Sequence, residues 1–317
     1  MISFLRKLEE LQENIFWIVP CILAPRLLGM IDRDPSSSTY GCADRYHWHY
    51  KLHDVSNARF QESMHVLALL HDLDMPENPF FRSRLLRRLV EGVLRFWLAS
   101  RHSDGSLDEV YPFERSGCAT AFSSYAASAV MLWEPSLYDP AVLSTADWLR
   151  ASLFECNPNQ RLAAILSLVN FADLSRCPGY EEAARVNLAG LEGSFGPQGC
   201  LREYGGEDMG YHTISMSLLA QLSLRRPDWP EIAALMQRGM GAFSRNLDAL
   251  GRIRPGEWSR NTQFVYPFAP AAMHHEMTVK SIAGGACQGM ALTPLWQDDR
   301  YMIPLMADYL LCWNTLA

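Results

Sequence analysis

Apolar residues between Arg82 and Ser100 fall at Leu85, Leu86, Leu89, Val90, Val93, Leu94, Trp97 and Leu98. Arg84, Arg87, Arg88, Glu91 and Arg95 lie largely off that stripe. A period of 3.6 with a charged opposite face predicts an amphipathic helix. The same pattern recurs over 139–154, 180–193, 231–247 and 300–314. Each opens on a Pro-, Asp- or aromatic-rich turn such as Leu137-Tyr138-Asp139-Pro140 or Pro227-Asp228-Trp229-Pro230, the chemistry that starts helices. Segments of a second kind lie between them. Residues 117–132 and much of 159–172 are apolar or small all the way round, and 210–222 adds only small hydroxyls, a histidine and one Gln. A helix without a charged face is predicted to be buried on all sides. Residues 57–70 begin polar and turn apolar, as expected where an inner helix starts at a cavity.

The two kinds alternate: 57–71 with 82–100, 117–132 with 139–154, 159–173 with 180–193, 210–224 with 231–247, and a last pair at about 282–292 with 300–314. This is a helical-hairpin repeat of loose period. The expectation is an all-α chain, one domain over 1–317 with a lead-in over 1–40, built as an α/α toroid of about five to six hairpins. An open α-solenoid is the alternative architecture. Strand signal is thin: 262–269 alternates briefly and ends at Pro267 and Pro270.

With 49% hydrophobic and 20% charged residues among 317, the chain is globular in composition, not disordered. Twenty-eight basic and 35 acidic residues leave a net charge of −7, so no overall basic field favours nucleic acid or an anionic membrane. Eight cysteines are scattered without a CxxC or a zinc-knuckle spacing. The expectation is reduced thiols in a cytoplasmic protein with no metal and no cofactor. The first residues carry Arg6, Lys7, Glu9, Glu10 and Glu13, unlike a secretory signal. Pro20, Pro25 and Arg26 interrupt the apolar run from Ile15 to Ile31, which predicts a packed or partner-docking helix and no stable membrane insertion.

Polar, aromatic and Gly-containing loops precede the inner helices, and in a ring those helix starts share one rim. Residues 43–62 supply His47, Trp48, His49, Asn57 and Arg59. Residues 104–116 supply Tyr111, Glu114 and Arg115, and residues 196–212 supply Glu203, Tyr204, Asp208, Tyr211 and His212. Residues 255–276 add Arg260 and His275. The histidines also read, and individually read better, as loop residues bonding backbone. Glu114 and Asp208 read equally as helix caps. The aromatics read as rim packing or, together, as a platform on which sugar rings stack.

The segment DGSLDEVYPFERS, with Asp104, Gly105, Glu114, Arg115 and Ser116 in order, resembles the toroid domain of heparinase II/III-like polysaccharide lyases. The Tyr-His pair opening a leucine-rich helix has its match one array later at Tyr211-His212, while the position directly after the first motif reads Cys118-Ala119. Asn57 with His65 is similar to that family's Asn-bearing inner helix, without its adjacent Asn-Asn-His. The resemblance covers roughly 57–225 and includes no β-sandwich domain. It implies β-elimination on a uronate-containing glycan, which needs a carboxylate neutraliser, a base at C5 and an acid for the leaving oxygen. Asn57 and Arg59 would neutralise, His212 or His47/His49 would be the base, and Tyr211 the acid. Tyr211 and His212 are expected to meet Glu114 or Arg115, with one of His47, His49 and Asn57, at one cavity.

Three other functions fit the same residues. A glycoside hydrolase would use paired carboxylates from Glu109, Glu114, Glu203, Glu207 and Asp208. A terpenoid-type cyclase would use an aromatic-lined cavity, although only Asp72-Leu73-Asp74 approaches an Asp-rich signature. A non-catalytic glycan- or small-molecule-binding protein would need the platform alone. No phosphate-binding or serine-hydrolase motif is present in the sequence.

Overall fold

The computed structural model describes residues 2–152 and 157–317, with side chains at Gln12 and from Asn14 onward. Cys156 and the end of the 139–154 segment lie outside the described residues. In chain order the helices are α1 (Ile2–Met30), α2 (Arg45–Trp48), α3 (Ser63–Asp72), α4 (Arg84–Ala99), α5 (Gly117–Trp133), α6 (Leu143–Ala151), α7 (Pro158–Ser175), α8 (Pro178–Ala189), α9 (Met209–Arg225), α10 (Pro230–Asn246), α11 (Phe268–Ala272), α12 (Glu276–Cys287) and α13 (Asp299–Leu316). The one sheet among the described residues is an antiparallel hairpin of β1 (Arg202–Glu203) and β2 (Gly206–Glu207). The fold class is all-α.

Side-chain caps fix where the helices begin. Ser83, Ser116, Asp208 and Asp298 each accept a hydrogen bond from the amide three residues on, at 3.4, 3.2, 3.0 and 3.0 Å. Each such bond satisfies an amide that the first helical turn leaves open. The helices of the expected pairs all form, and α3 packs on α4, α5 on α6 and α9 on α10. The helix expected over the N-terminal apolar run forms as α1 and continues through Pro20 and Pro25, so the prolines there cost hydrogen bonds without ending it. One expectation is corrected. Helix α12 runs earlier than 282–292, ending at Cys287 before Gly289, whose φ of 68° leaves helical geometry.

The chain packs as two compact units. The N-terminal unit comprises Ala24–Phe154 and Ala163–Leu188. Within it α5 is the central helix, touching α3, α6 and the single-turn helix at 58–62. Its small residues let α7 approach closely: Ser167 Oγ donates to the Ala121 carbonyl at 3.2 Å, and Asn170 Nδ2 donates to Ser128 Oγ at 3.1 Å. Trp97, the anchor of the α4 stripe, is fully buried and donates to Ser123 Oγ at 2.9 Å. Leu85 falls outside that stripe, half exposed.

The C-terminal unit comprises Met1–Leu23, Glu155–Leu162 and Ala189–Ala317. Here α9 packs on α10, α11 and β1, and α11 on α12 and α13. Asp308 is a buried acid inside α13 that accepts from Phe268 N at 2.9 Å and from Ser217 Oγ, tying the starts of α11 and α9's inner face to α13. Burial pushes its carboxyl up to about 7. Phe16 of α1 meets the edge of Tyr309 at 5.2 Å between ring centres. No helix among the described residues is long and apolar enough to cross a membrane.

Candidate functional site

The start of α9 brings together several chemistry-bearing groups of the C-terminal unit. Asp208 is fully buried: Oδ1 caps Tyr211 N at 3.0 Å, while Oδ2 accepts from Arg260 N and Thr262 N, each at 3.1 Å. One carboxylate therefore sets both the first turn of α9 and the loop that presents Arg260. The β1–β2 hairpin turns through Tyr204 and Gly205, at φ of 54° and 88°. Two successive positive φ values make a type I′ turn, which glycine tolerates and tyrosine adopts at a cost. Tyr204 projects from that turn and meets the Tyr211 ring at 5.1 Å. The Arg260 guanidinium sits 4.1 Å above the Tyr204 ring, a favourable cation–π geometry.

Tyr211 is half-buried and its hydroxyl lies 3.0 Å from that of Tyr301 on the first turn of α13. Phe264 fills the space between, 6.0 Å from Tyr211 and 5.5 Å from Tyr301. The Arg300 guanidinium lies 5.4 Å from the Tyr301 ring centre. Burial first, and the Tyr301 and Tyr204 hydroxyls next, raise the Tyr211 phenol well above its ordinary value. It is a protonated donor at neutral pH. Tyr301, Phe264 and Arg300 had no place among the sequence candidates; the α13 stripe marked a helix without marking which end met α9.

His212 faces the opposite way. It is fully buried, Nδ1 accepts from Leu201 N at 3.1 Å, and Nε2 donates to the Gly239 carbonyl at 3.0 Å. Burial pushes the ring down to about 4. With both nitrogens held by backbone, His212 pins α9 to α10 and the hairpin lead, and it has no nitrogen left to take a proton from a substrate. This corrects the base role offered to it. Glu203 is buried as well, accepting from Asn159 N at 3.0 Å. Glu207 accepts from the amides of Gln198 and Cys200. His275 stands at the cap of α12, its amide donating to Pro270 O at 2.8 Å.

The remaining sequence candidates belong to the N-terminal unit. Asn57 caps the 58–62 turn, its Oδ1 accepting from Arg59 N at 2.9 Å, and its own amide donates to Asp44 at 2.9 Å. Arg59 is buried, ion-paired with Glu62 and stacked on the Phe122 ring at 4.0 Å. Trp48 donates to the Met30 carbonyl at 2.7 Å, and His47 Nδ1 pairs with the His53 carbonyl at 3.0 Å. His49 is exposed and packs between the Trp48 and Tyr50 rings. Glu114 Oε2 accepts from the successive amides of Glu109, Val110 and Tyr111 at 3.1, 2.7 and 3.2 Å. Arg115 pairs with Asp104 at 3.0 Å, and Tyr111 is exposed. Asn57, Arg59, Glu114 and Arg115 thus hold their own loops. Among the described residues no group of three or more His, Cys, Asp or Glu side chains is placed to hold a metal ion. Compared with known protein families, curated proteins and solved structures, the chain matches none.

Proposed function

We propose that the tyrosine–arginine cluster at the start of α9 is the site of a carbohydrate-active enzyme performing lyase-type β-elimination on a uronate-containing glycan. The observation that carries the reading is the Tyr211–Tyr301 hydroxyl pair at 3.0 Å, flanked by Tyr204 under the Arg260 guanidinium. Arg260, with Arg300 beside Tyr301, meets the uronate carboxylate and so acidifies the neighbouring C5–H. The C5–H bond breaks and its electron pair forms C4=C5, while the C4–O4 bond breaks. Tyr301 Oη takes the C5 proton and passes its own along the shared bond to Tyr211. Tyr211 delivers a proton to O4, so the pair ends as it began. Tyr211, its phenol held protonated by burial, is suited to deliver the proton to O4. Exposed Tyr204 offers a face for a sugar ring.

Paired-carboxylate hydrolysis has less support, since Glu203 and Asp208 are both buried and bonded to amides. We read the alternating hairpins as arms of an α/α toroid, and place the protein in the cytoplasm on its scattered cysteines. The test is a panel of acidic glycans followed by the ultraviolet absorbance of an unsaturated uronate. Turnover that falls ~10²-fold in Tyr211→Phe supports the reading. Binding without absorbance change on every glycan would sink the lyase and leave a binding protein.

A further inference from the structure

Among the described residues, Glu203 is the one site-proximal carboxyl for which burial leaves a polar atom unused. It is fully buried on β1; its Oε1 accepts from Asn159 N at 3.0 Å and from Ser215 Oγ at 3.4 Å. Its Oε2 is buried without a partner, and so is Oδ1 of Asn159, itself 2% exposed. Two orphaned acceptors therefore stand on residues already joined by a hydrogen bond. An ionised carboxylate would supply two acceptors where a donor is missing, and its desolvation would go uncompensated. A carboxylic acid O–H supplies the donor.

The charged surroundings agree. Asn159 from the first turn of α7 and Ser215 from α9 are uncharged. Asp208 at the α9 cap acts on Glu203 with the same sign. Glu207 on β2 is engaged with the Gln198 and Cys200 amides, and Arg260 with the Tyr204 ring. Ser259 from the Arg260 loop donates to the Glu203 carbonyl at 2.7 Å. Burial, with Asp208 adding, pushes the carboxyl up to about 8.

We propose that Glu203 is a positioning residue of the tyrosine site, working as a neutral carboxylic acid whose Oε2 proton latches the β1–β2 hairpin to α7 and α9 and so holds Tyr204 against Tyr211. Tyr204 follows Glu203 directly and occupies a positive-φ position that needs outside support. Its amide donates to Asn157 Oδ1 at 3.4 Å, on the same stretch that holds the carboxyl. Ser215, which reaches the carboxyl, lies one turn beyond Tyr211 on the same face of α9. The latch and the reacting phenol therefore share a face. The inference rests on the tyrosine cluster being the site, yet the latch is measurable without turnover.

The experiment follows amide hydrogen exchange of the 202–207 hairpin in the full chain between pH 6 and 9.5, corrected for intrinsic exchange. It compares the native protein with Glu203→Gln and Glu203→Ala. Opening the hairpin releases the proton that burial holds on Glu203, so native protection should fall by up to tenfold per pH unit from pH 6 to about 8 and level off above it. Glu203→Gln, whose amide nitrogen donates at every pH, should keep its protection throughout, and Glu203→Ala should lose it throughout. On any glycan that is turned over, Glu203→Gln should move the alkaline limb of kcat upward by a pH unit or more. Native protection that stays flat to pH 9.5, or Glu203→Gln exchanging like Glu203→Ala at pH 6, would overturn the latch. A latch that passes with no glycan turned over would leave it standing and remove only the lyase reading.

Discussion

Tyr211 and Tyr301, ninety residues apart, share a hydroxyl–hydroxyl hydrogen bond of 3.0 Å that joins the first turns of α9 and α13. Each phenol is the other's proton partner, so the two should act as one unit. Tyr211→Phe and Tyr301→Phe should each lower turnover by ~10²-fold, and the double variant should be hardly worse than either single. Each change should cost about 1 kcal/mol of stability. Multiplicative losses in the double-mutant cycle would show two independent groups.

Asp308 predicts a slope of stability with pH. Burial raises its carboxyl from 3.8 to about 7, so the folded chain holds a proton that the unfolded chain releases. The stabilisation is complete below pH 3.8, declines as pH rises, and is gone above about 7. Asp308→Asn keeps an acceptor for Phe268 N and does not titrate. Its denaturation free energy should lack that decline, which is at most on the order of 4 kcal/mol. Parallel pH curves for the two proteins would place Asp308's proton elsewhere.

His212 should behave oppositely. Its ring is pushed from 6.5 down to about 4, so its contribution is full above pH 6.5 and lost as pH falls through about 4. His212→Ala opens a cavity and strands Leu201 N and the Gly239 carbonyl, at a cost of about 3 kcal/mol near neutrality. Urea titrations at pH 7 and pH 4.5 should show the variant's deficit shrinking at the lower pH. An equal deficit at both would contradict a neutral buried ring.

Gly105 sits at φ 90°, and a Cβ there would lie 2.4 Å from Ser144 C and Thr145 N. Its carbonyl also accepts from Thr145 Oγ1 at 2.8 Å. Backbone cannot yield as a side-chain tip can, so Gly105→Ala should destabilise the N-terminal unit by more than about 2 kcal/mol. Proteolysis mapped to 24–154 would report it; native-like resistance would refute the tight passage.

Helix pairing was legible because it is a local signal. The α4 and α10 stripes and the all-apolar α5 and α9 each show their burial within one segment. A helix over the apolar run of α1 was legible, whereas its full length from Ile2 to Met30 was not, because proline's effect depends on what the rest of the helix packs against. Within the site, Tyr204, Asp208, Tyr211 and Arg260 stood out as polar and aromatic residues crowded before an apolar helix. Tyr301 and Phe264 did not, since each looks like any aromatic in a stripe or a short extended run until the chain folds back on itself. His212 could not be told from a reactive histidine in sequence. Which way a ring points beside Tyr211, and whether Leu201 and Gly239 reach its nitrogens, are tertiary facts.

The three consecutive amides that close on Glu114 Oε2 form a concave anion receptor of the kind successive backbone N–H groups make. Its guest is tethered three residues away. An intramolecular carboxylate enjoys an effective concentration that a dissolved phosphate, sulfate or uronate does not reach. The 109–111 loop is therefore occupied from within, and a free anion must first evict the chain's own glutamate. Charge reversal or truncation at Glu114 would turn a closed receptor into an open one, with the exposed rings of Tyr111 and Phe113 already standing beside it.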